Sequence, residues 1–295
     1  MNSSLPPITT AVFPVAGLGT RLLPATKVIP KEMLPIVDKP VIQYAVEEAR
    51  EAGIEEFIFV THSQKSIVTE HFEHDVDLQS QLKERHKMVE LKSLKTSLLP
   101  PNSVKRAYQD KPLGLGHAVW CARKLVGNKP FAVLLPDDLM IGCPGALEQM
   151  MQAYTVTGGG ILVAAEERAR DETKHYGVVD PGAAKGNAVE VRSIVEKPKP
   201  KNAPSTLCVI GRYILPPDIF EILGKKQTGA GGEIQLTDAM AKLVGKVPFH
   251  AIKTDCRRFD CGDKVGFLHA NVVIGLERPD TAPQLKELLS RLKPR

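Results

Sequence analysis

The sequence is poor in several features that would point to particular classes of protein. No apolar run approaches the roughly 20 residues that cross a bilayer. Residues 1–10 carry no Lys or Arg ahead of their apolar part, unlike a secretory signal peptide. The five cysteines form no C-x-x-C pair, so a disulfide framework is not expected. We therefore expect a cytoplasmic protein with reduced thiols that does not bind a membrane.

Aromatic residues and charge of a single sign are also scarce. Aromatics make up 5% of the chain, too few for a carbohydrate platform of stacked rings. The formal net charge of +5 over 295 residues suits a site for anionic small molecules and does not demand nucleic acid as a partner. The basic segment 83–95 has the pattern of an ordinary amphipathic helix, with nucleic-acid binding as the alternative.

Familiar catalytic and phosphate-binding motifs are missing as well. Nothing supplies the Gly-Lys-Ser/Thr of a Walker A loop. The dinucleotide fingerprint lacks its third glycine, where Leu22 stands, and Pro24 and Pro30 disfavour the helix that should follow. There is no G-x-S-x-G elbow and no recognisable Cys/His nucleophile.

A glycine turn rich in cations is present, directly after the apolar run 11–15. Gly17 and Gly19 let backbone N–H groups approach a ligand closely, and Arg21, Lys27 and Lys31 bring positive charge to the same place. The natural ligand of such a loop is a polyphosphate. A surface turn with scattered cations is the alternative that these residues alone leave open.

The order of apolar and periodic segments predicts an α/β fold. In the first half, strand-like runs (11–15, 57–61, 104–109 and 131–135) alternate with helical patterns (41–52 and 116–125). This alternation is typical of a parallel sheet with both faces covered. The charged segment 77–95, with apolar positions at Leu78, Leu82, Met88 and Leu91, is predicted to be a helical excursion from the core.

The first half thus resembles a nucleotide-binding α/β unit, and the second half adds short β-rich segments. Strands are expected at 161–165, 177–179, 189–195 and 207–214, turns at 181–182 and 185–187, and helices at 219–223 and 234–244. The basic stretch 283–295 is expected to form a peripheral helix.

Polar residues follow three of the predicted strands, where open α/β sheets place their binding sites. The glycine turn is the first. Gln109 is the second, and its acceptor and two donors suit the edge of a nucleobase. The glycines at 114 and 116 would let a base lie against the backbone, although a Gly-Leu-Gly helix start explains the same letters equally well.

Carboxylates form the third group, at the tip of the apolar run 131–135. Asp137 and Asp138 need a positive partner there, and a divalent cation is the usual one. Asp260 offers another carboxylate after a β-like segment, and oxygen ligands favour magnesium over zinc. A helix N-cap pair is the alternative for Asp137 and Asp138.

Glu196 and Lys197 follow a further strand and suit a sugar phosphate, because a hydroxyl can donate to the carboxylate and the ammonium can hold the phosphate. A solvated turn is the alternative. A phosphate monoester loses its second proton near pH 6, so it is already an anionic nucleophile at neutral pH. Its repulsion from a polyphosphate costs roughly 4 kcal/mol for each unit charge pair at about 4 Å, which cations must cancel.

Taken together, these segments resemble the sugar nucleotidyltransferase family, and within it the bacterial UTP–glucose-1-phosphate uridylyltransferases. The resemblance covers about residues 10–275 and is carried by the segments 13–21, 24–27, 30–35, 39–40, 108–109, 114–117, 136–138, 176–178, 196–198, 231–238 and 259–262. The set is highly specific, although no single member is.

The resemblance implies a Rossmann-like nucleotidyltransferase fold, with a mixed, mostly parallel central sheet and inserted sugar-binding strands. It implies one domain over 10–278, with a nucleotide-binding part at 10–157 and a sugar-binding part at 158–278, followed by a peripheral helix in 279–295. The implied reaction joins UTP and α-D-glucose 1-phosphate into UDP-glucose and pyrophosphate with Mg²⁺. Such enzymes usually assemble as homodimers or homotetramers.

The resemblance also implies a role for each matching residue. Arg21 and Lys31 would face the polyphosphate; Ala16, Gly17, Gln109 and Gly114 would hold the uridine; Gly177, Glu196 and Lys197 would bind glucose and its phosphate; Asp137 and Asp260 would ligate the metal. Asp263 lies close by, but Asp260 occupies the matching position.

Two alternatives to this activity stay open at the level of sequence. One is the same chemistry with dTTP, because one added methyl group changes discrimination by only roughly 1–3 kcal/mol. The other is a non-catalytic regulator that binds nucleotide-sugars.

Overall fold

A computed structural model of the chain describes residues 5–63 and 67–292. Within these residues the strands are β1 Thr10–Pro14, β2 Pro35–Ile36, β3 Lys39–Pro40, β4 Glu56–Thr61, β5 Val104–Tyr108, β6 Phe131–Leu134, β7 Asp138–Ile141, β8 Ile161–Glu167, β9 Gly177–Lys185, β10 Ala188–Glu196, β11 Leu207–Leu215, β12 Phe249–Lys253 and β13 Arg257–Asp260.

The helices of the described residues are α1 Val41–Glu51, α2 Ile67–Glu70, α3 Val76–Glu84, α4 Met88–Ser97, α5 Leu115–Cys121, α6 Arg123–Val126, α7 Ala146–Val156, α8 Ile219–Gly224, α9 Leu236–Ala241, α10 Lys264–Glu277 and α11 Ala282–Arg291. None of these helices is both long and apolar enough to cross a membrane.

A nine-stranded sheet organises the described part of the chain, in the order β5-β4-β1-β6-β11-β8-β12-β10-β9. The strands β5, β4, β1 and β6 are mutually parallel. The pairings across the rest of the sheet reverse only β11 and β10, so seven of the nine strands point the same way. The mixed, mostly parallel sheet predicted from the sequence is therefore confirmed.

The sheet is covered on both faces, which explains the near-continuous apolar runs of its strands. Alternate residues divide between two cores: Val12 and Ile58 pack with α5, α8 and α9, while Phe13 and Phe59 pack with α1 and α7 on the other face. All nine residues of β11 are buried. The burial of both faces is what the alternation of strands and helices in the first half predicts.

A small two-stranded sheet, β7 paired with β13, lies beside the main one. Its antiparallel register places Asp260 opposite Asp138, and Leu139 and Phe259 pack with Ala270 and Ile274 of α10. This small sheet brings the two acidic segments, far apart in sequence, to one place. Asp138 begins a strand, so the alternative of a helix N-cap pair at Asp137 and Asp138 is wrong.

Several predicted elements differ in detail from the structure. The predicted helix 116–125 is two helices, α5 and α6, which meet at Ala122. The excursion 77–95 is helical, as predicted, but α3 and α4 are separated at His86, which has a φ of 54°. Leu78 and Met88, two of the apolar positions of this segment, are 40% and 61% exposed.

The β9–β10 hairpin is longer than the sequence predicts. The turn expected at 181–182 is wrong: Pro181 lies within β9, opposite Val191, where the register shifts. The turn expected at 185–187 is confirmed, because Lys185 pairs with Ala188 and Gly186 has a φ of 62°. The C-terminal helix is confirmed as α11, and residues 293–295 of the predicted stretch lie outside the described residues.

Candidate active site

A cavity of about 720 Å³ opens where β6 and β8 end, next to the first residues of β9. Six of the residues to which the resemblance gives a role line it: Arg21, Asp137, Gly177, Glu196, Lys197 and Asp260. Asp138 and Asp263, also noted in the sequence, line it as well. They come from segments more than 200 positions apart in the chain, and the carboxyl-end edge of the sheet brings them together, as expected for an open α/β sheet. The cavity is therefore the candidate site.

The glycine turn after β1 is held in short 3-10 turns, as expected for a segment that cannot form a long helix. Gly19 has a φ of 62°, and its carbonyl accepts a 2.7 Å hydrogen bond from Thr26 Oγ1. This folding brings Arg21 to the cavity wall. Lys27 is exposed and is not among the residues that line the cavity, so it is not grouped with Arg21 and Lys31.

Lys31 is not among the residues that line the cavity, but it forms an ion pair with one of them. Its Nζ donates to Asp137 Oδ2 at 2.5 Å. Burial would raise the pKa of Asp137, but the charge and hydrogen bond of Lys31 outweigh it and keep that pKa below its ordinary value. Burial would likewise lower the pKa of Lys31, but Asp137 and Glu32 raise it above its ordinary value. Both groups are thus charged at neutral pH.

Asp137 and Asp260 present carboxylate oxygens to a common point. A Cβ atom at Gly262 would lie 2.9 Å from Asp137 Oδ2 and 3.0 Å from Asp260 Oδ1. The backbone N–H of Gly262 donates to Asp260 Oδ1 at 3.0 Å and orients that carboxylate. Asp263 does not take part in the same way, because it caps α10 by accepting from Gly266 N at 2.9 Å.

This carboxylate pair fits magnesium better than a metal that needs a complete protein cage. No group of three or more His, Cys, Asp and Glu side chains among the described residues could hold a metal by itself. Magnesium is usually bound through one or two carboxylates together with substrate phosphates and waters. Asp137 and Asp260 supply two such carboxylates, and both line the cavity, where their oxygens can serve as metal ligands.

Arg258 is a functional residue that the sequence reasoning missed. Its side chain, 3% exposed, donates to Asp138 Oδ1 at 2.7 Å and to Glu166 Oε1 at 2.9 Å, and lies 3.9 Å from Asp260. Burial would lower the pKa of Arg258, but Asp138 first, and then Tyr176 and Glu166, raise it. Arg258 therefore offsets the negative charge of the carboxylates around it. Nothing in the dipeptide Arg257-Arg258 distinguishes the buried arginine from the exposed one.

Gly177, Glu196 and Lys197 also line the cavity. Gly177 pairs with Glu196 across the β9–β10 ladder, and a side chain at 177 would meet Glu196 Oε2 at 3.3 Å and Thr237 Oγ1 at 3.0 Å. Lys197 has a φ of 46°, which is uncommon outside glycine, and its N–H donates to Tyr176 O at 2.9 Å. This unusual backbone turns Lys197 out of the strand and towards the cavity.

The four residues that the resemblance assigns to the uridine are not among the residues that line this cavity. Gln109 follows β5, and its Nε2 lies 3.0 Å from Gly114 O. Gly114, with a φ of 102°, packs so closely against Glu233 and Ile234 that a Cβ atom there would lie 2.8 Å from Glu233 Cβ. Gly17 lies next to the side chain of Lys31. Ala16 is the residue directly before Gly17 in the chain. Glu233, in the glycine-rich segment before α9, lines the cavity.

The chain is similar to known proteins over nearly its whole length. A sequence profile of the nucleotidyl transferase family matches residues 11–274. A UTP–glucose-1-phosphate uridylyltransferase of Komagataeibacter xylinus is 50% identical over 259 residues, which cover 88% of this chain and 91% of that protein.

Solved structures show the same similarity. A UTP-bound structure of a UDP-glucose pyrophosphorylase from Acinetobacter baumannii superposes with a TM-score of 0.87 at 40% identity, covering 97% of this chain and 100% of that one. A UDP-glucose pyrophosphorylase in complex with UDP-glucose superposes with a TM-score of 0.82 at 40% identity, covering 92% of this chain and 100% of that one.

Proposed function

The chain belongs to the nucleotidyl transferase family, and from this membership we propose that it is a UTP–glucose-1-phosphate uridylyltransferase. The enzyme transfers a uridylyl group from UTP to α-D-glucose 1-phosphate and releases pyrophosphate. The family and the fold predicted from the sequence are confirmed. The observation that carries the proposal is one cavity whose lining includes Arg21, Asp137 and Asp260 together with Glu196 and Lys197.

The chemistry that fits this cavity needs positioning and charge neutralisation, not a general base. A phosphate oxygen of glucose 1-phosphate attacks the α-phosphorus of UTP, a new P–O bond forms, and the bond to the departing pyrophosphate breaks. We assign the glucose phosphate to Lys197 and the glucose hydroxyls to Glu196 beside Gly177. Arg21 and Lys31 are assigned to the triphosphate, where their charges offset the repulsion between the two anions.

Enzymes of this family typically use a divalent metal, and we propose Mg²⁺ on Asp137 and Asp260. When bound, it would supply positive charge to the phosphate oxygens. Lys31 holds one oxygen of Asp137, and Gly262 orients one oxygen of Asp260. A carboxylate oxygen has a further lone pair beyond one hydrogen bond, so both carboxylates keep the capacity to bind a metal. The uridine is assigned to Ala16, Gly17, Gln109 and Gly114, at the ends of β1 and β5.

Activity against a panel of substrates tests the proposed function. Pyrophosphate release is measured for each nucleoside triphosphate with each sugar 1-phosphate, in the presence and absence of Mg²⁺. UTP with glucose 1-phosphate is expected to give the highest rate, and only with the metal. Equal or faster turnover of dTTP would favour the thymidylyl alternative. UDP-glucose binding without pyrophosphate release from any pair would favour a non-catalytic regulator.

Gly262→Ala is expected to raise the Mg²⁺ concentration needed for half-maximal activity about tenfold. Its Cβ would fall within 3.0 Å of an oxygen of both Asp137 and Asp260, so the carboxylates must shift, and small misplacements at a reacting centre are costly. Gly262 has no positive φ in the structure, so alanine brings no backbone strain of its own. Unchanged metal dependence with an unchanged unfolding midpoint would contradict the proposed metal position.

Lys197→Ala is expected to raise the KM for glucose 1-phosphate about tenfold or more while changing the KM for UTP little, because a charge-assisted phosphate contact is lost. Lys199→Ala removes an exposed cation two positions away and serves as the matched control. Steady-state kinetics with each substrate varied in turn give both constants. A larger effect on UTP than on the sugar phosphate would reassign Lys197 to the triphosphate.

The remaining sequence-based expectations stay part of this proposal. They are the cytoplasmic location, the assembly as a homodimer or homotetramer, and the division into a nucleotide-binding part at 10–157 and a sugar-binding part at 158–278. Small-molecule substrates are supported by the UTP and UDP-glucose complexes of the similar structures. The oligomeric state can be measured by light scattering on the purified chain.

A further inference from the structure

The side chain of Gln109 is held by two acceptors that use both of its N–H groups. Gln109 Nε2 lies 3.0 Å from the backbone oxygen of Gly114 and 3.0 Å from Nδ1 of His117 in α5. The residue is only 7% exposed, so its amide lies in a fixed setting. An amide has two donors on nitrogen and one acceptor oxygen, and here both donors are engaged within the protein.

The orientation of this amide follows from the chemistry of its neighbours. A backbone carbonyl can only accept, so the atom next to Gly114 O must be the nitrogen; the flipped amide would place two oxygens in contact. Among the described residues, nothing donates to Gln109 Oε1. The side chain therefore offers an incoming base only an acceptor.

The same argument fixes the state of His117. Because Gln109 Nε2 donates, His117 Nδ1 must carry a lone pair, and the ring is the neutral tautomer with its proton on Nε2. Burial lowers the pKa of His117, and the cations Lys226 and Arg123 lower it further. Both cations lie over the ring of Trp120, which stacks on His117 with ring centroids 6.0 Å apart.

We propose that His117 is a positioning residue for nucleotide selection: by accepting from Gln109, it keeps that amide as an acceptor-only reader of the base edge. This inference rests on the proposed function and on the assignment of Gln109 to the uridine. Uracil carries a proton on N3 and can donate to Gln109 Oε1. Cytosine carries a lone pair on N3, which would face the Oε1 lone pairs. A polar site of this kind rejects the mismatched ligand strongly, because buried polar groups are left unpaired.

The test compares three nucleotides in four proteins. Wild type, His117→Phe, His117→Asn and Lys124→Ala are assayed with UTP, CTP and 5-methyl-UTP, with glucose 1-phosphate held constant. Phenylalanine keeps a ring for stacking on Trp120 but removes the acceptor. Asparagine can supply a side-chain oxygen in place of Nδ1. Lys124 is exposed on the adjacent α6 and makes no contact with Gln109, so its variant is the matched control.

His117→Phe is expected to narrow the ratio of kcat/KM for UTP over CTP about tenfold, mainly through a higher KM for UTP. The ratio for UTP over 5-methyl-UTP should not change, because the methyl group lies away from N3. In His117→Asn the preference for UTP over CTP should return most of the way to the wild-type value. Lys124→Ala should show the same preference as wild type. This pattern separates base selection from a general loss of structure, because a loss of structure would lower kcat/KM for all three nucleotides to the same extent.

An unchanged UTP to CTP ratio in His117→Phe would overturn the inference, and so would an equal loss for all three nucleotides. Binding of UTP and CTP by calorimetry, without the sugar phosphate, gives the same ratio independently of turnover. An inactive wild-type protein would therefore overturn the proposed function, while the binding ratios would still decide the role of His117.

Discussion

Replacing Asp137 with alanine is expected to lower turnover at least about a hundredfold, the scale seen when one preorganised charge contact is removed from an active site. Asp137 is one of the two proposed metal ligands, and it is the 2.5 Å partner of Lys31. The substitution would therefore remove a ligand and leave the partly buried ammonium of Lys31 without its ion-pair partner. The loss should appear in kcat, measured at saturating UTP and glucose 1-phosphate.

Two further variants separate the metal from the ion pair. Asp137→Asn keeps an oxygen that can accept from Lys31 but removes the negative charge, so it should lose nearly as much activity as alanine. Asp77→Ala removes an exposed carboxylate of α3 and should behave as wild type. Thermal unfolding shows whether each variant is folded. A near-normal rate for folded Asp137→Ala would contradict the assignment of a metal to this carboxylate.

The parts of the fold that the sequence predicts well are those set by local periodicity. The strands β1, β4, β5 and β6 begin and end within one residue of the predicted limits, because buried apolar runs bounded by turns determine them. The helix α1 is similarly close, ending before Gly53 with its φ of 89°. The motifs of the site can be recognised for a related reason, because glycines and charged residues next to strand ends are local features of the sequence.

The features that the sequence does not predict depend on contacts between residues that are far apart in the chain. The β7–β13 ladder joins segments about 120 positions apart, and no local pattern indicates it. Arg258 is recognisable as part of the site only once Asp138 and Glu166 surround it. The exposure of Leu78 and Met88 has a similar origin, because α3 and α4 project from the sheet and periodicity alone cannot show what covers a helix face.

Arg212 and Glu48 form the most consequential of these long-range pairs. Arg212 is 1% exposed in the middle of β11, and its Nε and one NH2 group donate to the two oxygens of Glu48 in α1 at 2.7–3.1 Å. Glu48 also accepts from Leu147 N at 2.9 Å, at the start of α7. The pair therefore ties the sheet to both helices on one of its faces.

Arg212 also supports the loop that carries the candidate site. Its NH1 group donates to Leu135 O at 3.1 Å, two residues before Asp137. It also donates to Gly211 O at 3.0 Å, and the N–H of Gly211 donates to Asp138 at 2.9 Å. Removing the guanidinium would thus leave the carbonyls of Leu135 and Gly211 without this donor, and Glu48 buried and unpaired.

Arg212→Leu is expected to lower the free energy of unfolding by about 3–5 kcal/mol, the cost of breaking one side of a buried ion pair. Urea denaturation measures this quantity. Glu48→Leu should cost a similar amount, and the double variant should cost less than the two single changes added together, because no lone charge remains buried.

The exposed pair between Arg257 and Glu277, with both side chains nearly half exposed, provides the control for this experiment. Arg257→Leu is expected to change the free energy of unfolding by no more than about 1 kcal/mol, since screened surface pairs contribute little. If Arg212→Leu were no more costly than Arg257→Leu, or if the two buried substitutions were simply additive, Arg212 and Glu48 would not act as a coupled pair. The acidic loop would then be held by the β7–β13 ladder and by the ion pairs of Lys31 and Arg258.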